Sequence, residues 1–224
     1  MSGWREGHRK RIFDKFDKGL DMSPYEILEI ILCYCIPRMD VRGTASQLVK
    51  KYGSPLAACI QSEKSLLENE GIGISSARLL RAIGGLYEDS FAINMKAEPI
   101  YHNIQILYDY CRIKMAALEE ERVLVLYLDA NMKLIKSEEH TKGSAAESAL
   151  YKDKIAKNAL VMGARNVVVV HNHPAGGDFS IDDYNVSCAL RDALGTIDVK
   201  LFDHLLVSDG RVLSAKEKWP ELGV

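Results

Sequence analysis

The sequence predicts a mixed α/β (α+β) protein, with an all-helical N-terminal part followed by a mixed sheet and flanking helices. Three observations carry that expectation. Residues 1–98 hold helix starts and helical apolar faces only. Strand-like apolar runs first appear at 123–128 and 167–170. Helical stretches lie between and after those runs, so the order reads strand, strand, helix, strand, helix, strand, strand. That order packs helices on a mixed sheet. The boundary is expected near Ala97-Glu98-Pro99, giving a helical domain over 1–98 and a second domain over 99–224.

In the first part, Ser23-Pro24-Tyr25-Glu26 combines an N-cap serine, a proline at the first helical position and a glutamate three after the cap. Ile27, Leu28, Ile30, Ile31 and Leu32 then form an apolar face, which Ile36-Pro37 terminates. Ala45, Leu48 and Val49 suggest a second helix stopped by Gly53. Ser54-Pro55 opens a turn, and Ser62 begins a helix to about Glu68. Glu70-Gly71-Ile72-Gly73 reads as a tight turn before a helix from Ser75 through Leu86.

In the second part a helix is expected near 104–111, then a strand ending at the turn-favouring Asp129-Ala130-Asn131, with residues 132–139 returning beside it. Residues 148–162 read as an amphipathic helix. Val167-Val168-Val169-Val170 reads as a buried strand, and 180–194 as a helix. Residues 199–213 read as a hairpin turning at Ser208-Asp209-Gly210.

The 224 residues are 47% hydrophobic and 27% charged, proportions that exclude disorder and fibrous repeats. A net charge of −2 excludes a global basic field for nucleic acid. The locally basic start (Arg5, Arg9, Lys10, Arg11, Lys15, Lys18) is diluted by Glu6, Asp14 and Asp17. Cys33, Cys35, Cys59, Cys111 and Cys188 match no zinc spacing and read as reduced thiols. The first 25 residues lack a signal-peptide apolar stretch, and no apolar run spans a bilayer. A soluble, cytoplasmic protein with no membrane partner is expected.

The chemistry concentrates in His171-Asn172-His173-Pro174-Ala175-Gly176-Gly177-Asp178-Phe179-Ser180-Ile181-Asp182-Asp183. Side chains two apart on a strand share a face, so His171 and His173 project together as half of a tetrahedral metal site. Asp183 falls on the first turn of the next helix and can return as a third ligand. Two histidines and one carboxylate leave a fourth position open, as in catalytic zinc sites. The donor set suits one Zn2+ per chain, with iron and manganese as alternatives. A plainer reading stands beside it: Ser180-x-x-Asp183 is a capping box whose aspartate the helix dipole favours. The two are compatible, because a cap that fixes the helix start also aims the aspartate.

The H-N-H-P-x-G and S-x-x-D pattern behind a valine-rich strand resembles the RadC family, the bacterial branch of the JAMM (MPN-type) metalloprotease fold. Glu121-Arg122-Val123-Leu124-Val125-Leu126-Tyr127-Leu128-Asp129 is similar to the family's first strand with its leading glutamate. Lys142-Gly143-Ser144, Asp203-His204-Leu205-Leu206-Val207 with Gly210 and Ser214, Gly7-His8-Arg9 and Gly71-Ile72-Gly73 extend the likeness over nearly the whole chain. The resemblance implies a JAMM/MPN-like, cytidine-deaminase-like sheet and a zinc held by His171, His173, Asp183 and water. It implies Glu121 as the proton carrier, ahead of its neighbours Glu119 and Glu120, and Ser180 as the hydroxyl stabilising an oxyanion. The implied activity is hydrolysis of a peptide or isopeptide bond in a peptide or protein substrate, and the family brings a link to DNA repair.

Two departures from the family pattern stand out. Ala175 replaces a serine, and the loop from His173 to Ser180 is one residue shorter and lacks its later proline. Counted strictly from His173, the aspartate position holds Tyr184. The S-x-x-D register instead selects Asp183, with Ser187 where the family has threonine. We adopt that register because cap and ligand move together, with Asp182 as the fallback. His204 reads as a core or interface histidine ahead of one that orients a ligand, and His8, His102 and His140 read as surface residues.

The stretch around Gly71-Ile72-Gly73 resembles a helix-hairpin-helix. Its turn amides and the next helix's N-terminus can hold a phosphate, with Arg78 and Arg81 assisting. Packing alone also accounts for the glycines, and Glu63, Glu68 and Glu70 oppose a polyanion. The alternative function is a non-catalytic DNA-associated factor with a structural or vestigial metal site. A nuclease is disfavoured, because two-metal sites use several carboxylates and this one offers a single carboxylate ligand.

Overall fold

The computed structural model describes residues 3–37, 39–141 and 145–224, so the likeness at Lys142-Gly143-Ser144 lies outside the described residues. The chain forms two compact units, Met1–Tyr87 and Glu88–Val224.

The first unit is helical: α1 (Gly3–Asp17), α2 (Pro24–Cys35), α3 (Arg42–Tyr52), α4 (Pro55–Cys59), α5 (Glu63–Leu67) and the start of α6 (Ile74–Ala97). Its helix ends follow local chemistry. At the start of α2, Ser23 Oγ accepts from the Glu26 N–H and Glu26 Oε2 accepts from the Ser23 N–H, a reciprocal capping box. Ser54 and Ser62 cap α4 and α5, and Gly53 closes α3 at φ +88°. Leu28, Leu32, Leu48, Leu66 and Leu80 meet in the core. His8, expected on the surface, pairs at 2.9 Å with Glu29, which α2 carries into the interior.

Helix α6 continues past its expected end at Leu86 to Ala97. Gly84-Gly85 lower intrinsic helix propensity. At Gly84, however, an added Cβ would stand 2.5 Å from the Cys59 carbonyl oxygen, so close packing requires the missing side chain. Beyond it, Met95 is buried, with Phe91 and Ala92 packed alongside, and tertiary contact overrides the weak local signal. The expected boundary near Ala97-Glu98-Pro99 falls at the end of this helix, whereas the two compact units part within it.

The second unit adds α7 (Ile104–Met115), β1 (Arg122–Leu128), β2 (Leu134–Thr141), α8 (Ala145–Met162), β3 (Asn166–His173), α9 (Ile181–Gly195), β4 (Lys200–Ser208), β5 (Arg211–Ser214) and α10 (Ala215–Lys218). The five strands run in the order β2-β1-β3-β4-β5. Among the described residues only the β3–β4 pair is parallel, and α9 supplies the crossover that parallel neighbours require.

The valine run of β3 is buried on both faces, which explains why it is apolar throughout. Val167 and Val169 pack with Ile155 and Ala159 of α8 and Leu190 and Leu194 of α9. Val168 and Val170 pack with Leu107, Tyr110 and Cys111 of α7. The turn after β1 is built on Asp129, whose Oδ1 accepts from the Asn131 and Lys133 N–H groups. The β4–β5 turn places Asp209 and Gly210 at positive φ, as a tight hairpin needs.

In β4, Val167 pairs with Leu201 but Val168 pairs with Asp203, so Phe202 is an inserted bulge residue. The bulge reverses the alternation of everything after it. Among the described residues no helix is long and apolar enough to cross a membrane. All five cysteines are free thiols.

Candidate metal centre

Strand β3 continues through the histidines. Alternation puts His171 and His173 on the α8/α9 face, with Val167 and Val169, and Asn172 on the α7 face. From the other side α9 begins at Ser180. Its hydroxyl accepts from the Asp183 N–H at 3.2 Å, while Asp183 Oδ2 accepts from the Ser180 N–H and Oγ–H at 2.7 Å each. The capping box thus holds Asp183 by one oxygen and leaves the other facing the imidazoles.

Three donor groups converge there. His171 Nε2 lies 3.2 Å from His173 Nε2 and 3.2 Å from Asp183 Oδ1, and His173 Nε2 lies 3.8 Å from Asp183 Oδ2. Ligands about 2.0–2.1 Å from a tetrahedral zinc are separated by roughly 3.3 Å, so the spacing and the N, N, O chemistry fit that ion. Burial works to raise the pKa of Asp183. Its contact with His171, then the two donors of Ser180, outweigh it and hold the carboxyl well below the usual carboxylate range. Two donors on Oδ2 favour the ionised form that ligation needs. Asp182, the fallback, is exposed, and Tyr184 packs against Trp219 at a ring distance of 5.1 Å.

The loop that joins the histidines to α9 is anchored despite its shortness. Gly176 has φ +80°, and a Cβ there would stand 2.5 Å from the Asp209 carboxylate. The Gly177 N–H donates to Asp209 Oδ2, and Ser208 Oγ–H donates to the Gly177 carbonyl at 2.6 Å. Beside His173 lies a cleft lined by Met115, Pro174, Ser208 and Asp209.

Glu121 lies outside this trio, exposed in the segment just before β1. The registered pair Val123–His171, carried one alternation further, sets Glu121 across from His173 on the same face. Asn172 holds that segment from the opposite face. Its Oδ1 accepts from the Arg122 N–H at 2.7 Å, and its Nδ2–H donates to the Glu120 carbonyl at 3.0 Å. Glu120 itself pairs with Arg122.

Three further residues complete this neighbourhood: Asn172, to which the sequence assigned no role, Ser187, expected only to stand where the family has threonine, and His204, expected as a core or interface histidine ahead of one that orients a ligand. His204 is 2% exposed and brings Nε2 to 2.9 Å from His171 Nδ1, while its Nδ1 lies 2.6 Å from Ser187 Oγ. The signal for Ser187 was its position one turn after Asp183. For His204 the signal was its place in the Asp203-His204-Leu205-Leu206-Val207 stretch.

In the helical unit, Gly71 has φ +83° and abuts Thr44, which explains the glycine. The Gly73 N–H donates to Ser76 Oγ at 2.9 Å, so that amide is already occupied within the turn. Arg78, largely exposed, lies 3.8 Å from Glu63.

The fold is a mixed α/β sheet whose central strand ends in H-x-H, facing a helix-capping aspartate, a group of three side chains that could hold a metal ion. A family model for the RadC-like JAB domain matches residues 101–220, and the chain belongs to that family. A UPF0758 protein of Fusobacterium nucleatum is 29% identical over 223 residues, covering 95% of this chain and 96% of the relative. One from Ruegeria pomeroyi is 30% identical over 217 residues, covering 96% and 97%. Another from Paraburkholderia xenovorans is 31% identical over 201 residues, covering 89% and 79%.

Proposed function

We propose that this protein is a zinc-dependent hydrolase of the JAMM type that cleaves a peptide or isopeptide bond. The observation that carries the reading is the convergence of His171, His173 and Asp183 with interatomic spacings suited to a tetrahedral cation. Membership of the RadC-like JAB family supports it. Zinc bound by these three residues would supply Lewis acidity, making water nucleophilic near neutral pH and polarising a carbonyl oxygen.

The chain's own residues then have distinct tasks. His171, His173 and Asp183 hold the cation. Glu121, across from His173 by register, takes the proton from the attacking water and delivers it to the departing amine nitrogen. Ser180 keeps Asp183 aimed, and it reaches a developing oxyanion only by turning its O–H away from Asp183 Oδ2. Asn172 keeps the Glu121 segment against β3.

The test is metal analysis of the purified chain joined to a hydrolysis assay on linear and isopeptide-linked peptides. We expect about one zinc per chain and cleavage that chelation abolishes. Glu121→Gln should keep the metal and lose roughly 100-fold or more in rate. Metal without hydrolysis, together with salt-sensitive DNA binding, would favour a DNA-associated factor instead.

A further inference from the structure

We propose that Ser187 and His204 form a buried relay that locks His171 in its Nδ1–H tautomer and thereby aims the Nε2 lone pair at the cation site. This rests on the metal-site reading above but concerns residues outside the ligand set.

The direction of the relay follows from its far end. The Asp183 backbone carbonyl can only accept a hydrogen bond, and Ser187 Oγ lies 2.6 Å from it, so the hydroxyl proton points there. Ser187 therefore receives a hydrogen bond from its other neighbour, and His204 Nδ1, 2.6 Å away, must carry a proton. A neutral imidazole with a proton on Nδ1 presents Nε2 as an acceptor. Burial of His204 favours its neutral form, and in that form this nitrogen, 2.9 Å from His171 Nδ1, accepts the His171 Nδ1–H. The remaining nitrogen of His171, Nε2, is the atom that faces His173 and Asp183.

The setting favours a fixed polarity. Ser187 and His204 are essentially inaccessible, and His171 is 3% exposed. Phe179 packs 5.8 Å from both rings, and Trp219 packs on Phe179. With bulk water kept from the rings, the protein donors and acceptors set the tautomers. The relay also ties together the carriers of two ligands, because it runs from β3 through β4 to α9 and closes on the backbone of Asp183 itself. Both side chains are positioning residues in this scheme, since neither touches the cation.

The test uses the metal-free full chain with 15N-labelled histidine, and two-bond 1H–15N correlation at a pH where the imidazoles are neutral. We expect His171 to show a protonated Nδ1 and a bare Nε2. Ser187→Ala should convert His171 to a mixture of tautomers, and Ser187→Thr, which restores the hydroxyl, should recover the single form. A zinc competition titration should give weaker binding by roughly 10–100-fold in Ser187→Ala and His204→Leu, with Ser187→Thr close to wild type. Circular dichroism separates loss of fold from loss of affinity. Should His204→Leu fail to fold, the serine pair alone decides the matter. A wild-type His171 protonated on Nε2, or undiminished zinc affinity in folded Ser187→Ala, overturns the relay. A wild type that binds no zinc overturns the metal reading instead, and the tautomer measurement tells the two failures apart.

Discussion

Asn172 sits between the two site histidines in sequence, yet its Oδ1 accepts from the Arg122 backbone N–H at 2.7 Å on the opposite face of the sheet. One strand thus presents candidate metal donors on one side and a clamp for the neighbouring segment on the other. Asn172→Ala should leave the Arg122 N–H and the Glu120 carbonyl without this buried partner, itself 2% exposed. We expect a loss of about 1–3 kcal/mol in chemical denaturation. Zinc content should be retained while hydrolysis falls, because Glu121 loses its anchor.

Asp182 and Asp183 are adjacent but face different surroundings, one exposed and the other 7% exposed beside His171. Asp183→Ala should abolish stoichiometric zinc binding. Asp182→Ala should keep it and change stability by no more than about 0.5 kcal/mol. Metal loss confined to Asp182→Ala would reverse the ligand register.

Ser180 serves Asp183 twice, as the cap of α9 and as the donor to Oδ2. Ser180→Ala should cost about 0.5–2 kcal/mol of stability. It should also weaken zinc binding, since the carboxylate is no longer held. Ser180→Thr should restore both, measured by denaturation and chelator competition on the same samples.

Gly176 combines φ +80° with the near contact to Asp209. Gly176→Ala should destabilise by roughly 1–3 kcal/mol through backbone strain and displacement of the Asp209 side chain. The companion Gly176→Ala/Asp209→Ala double variant removes the clash but not the strain. It should regain part of that loss, and failure to do so would assign the whole effect to backbone conformation.

Lys15, with the backbone and hydroxyl donors of Ser23, lowers the Glu26 carboxyl from its ordinary 4.5 to about 2. A folded-state value below the unfolded one means the interaction is fully present above pH 4.5 and is lost as pH falls toward 2. The stability advantage of wild type over Glu26→Gln should therefore be constant near neutrality and shrink across that window. Both partners are partly exposed, so the advantage should be no more than about 1 kcal/mol and smaller in high salt. Urea midpoints collected across pH test both features.

Much of the second unit was legible in the residues. The valine run of β3, the Asp129 turn and the Asp209-Gly210 hairpin each depend on neighbours close in the chain. So does the candidate trio. Two-residue alternation puts His171 and His173 together, and the Ser180–Asp183 box points the aspartate, all within one continuous stretch. The far half of α6 was not legible, because Gly84-Gly85 signal an interruption that contact with Cys59 accounts for differently.

His204 shows where local reading ends. Simple alternation from Leu201 would send it to the opposite face from the ligands, and the bulge at Phe202 brings it to His171. By itself, the order of residues determined most of the elements, the mixed character of the sheet and the candidate donors, since helical and strand periods, caps and tight turns are local physics. The partnership of His204 with Ser187 and His171, and the grip of Asn172 on the strand beside it, arose only from tertiary structure. They require the pairing of strands far apart in sequence and a one-residue register shift that no local pattern announces.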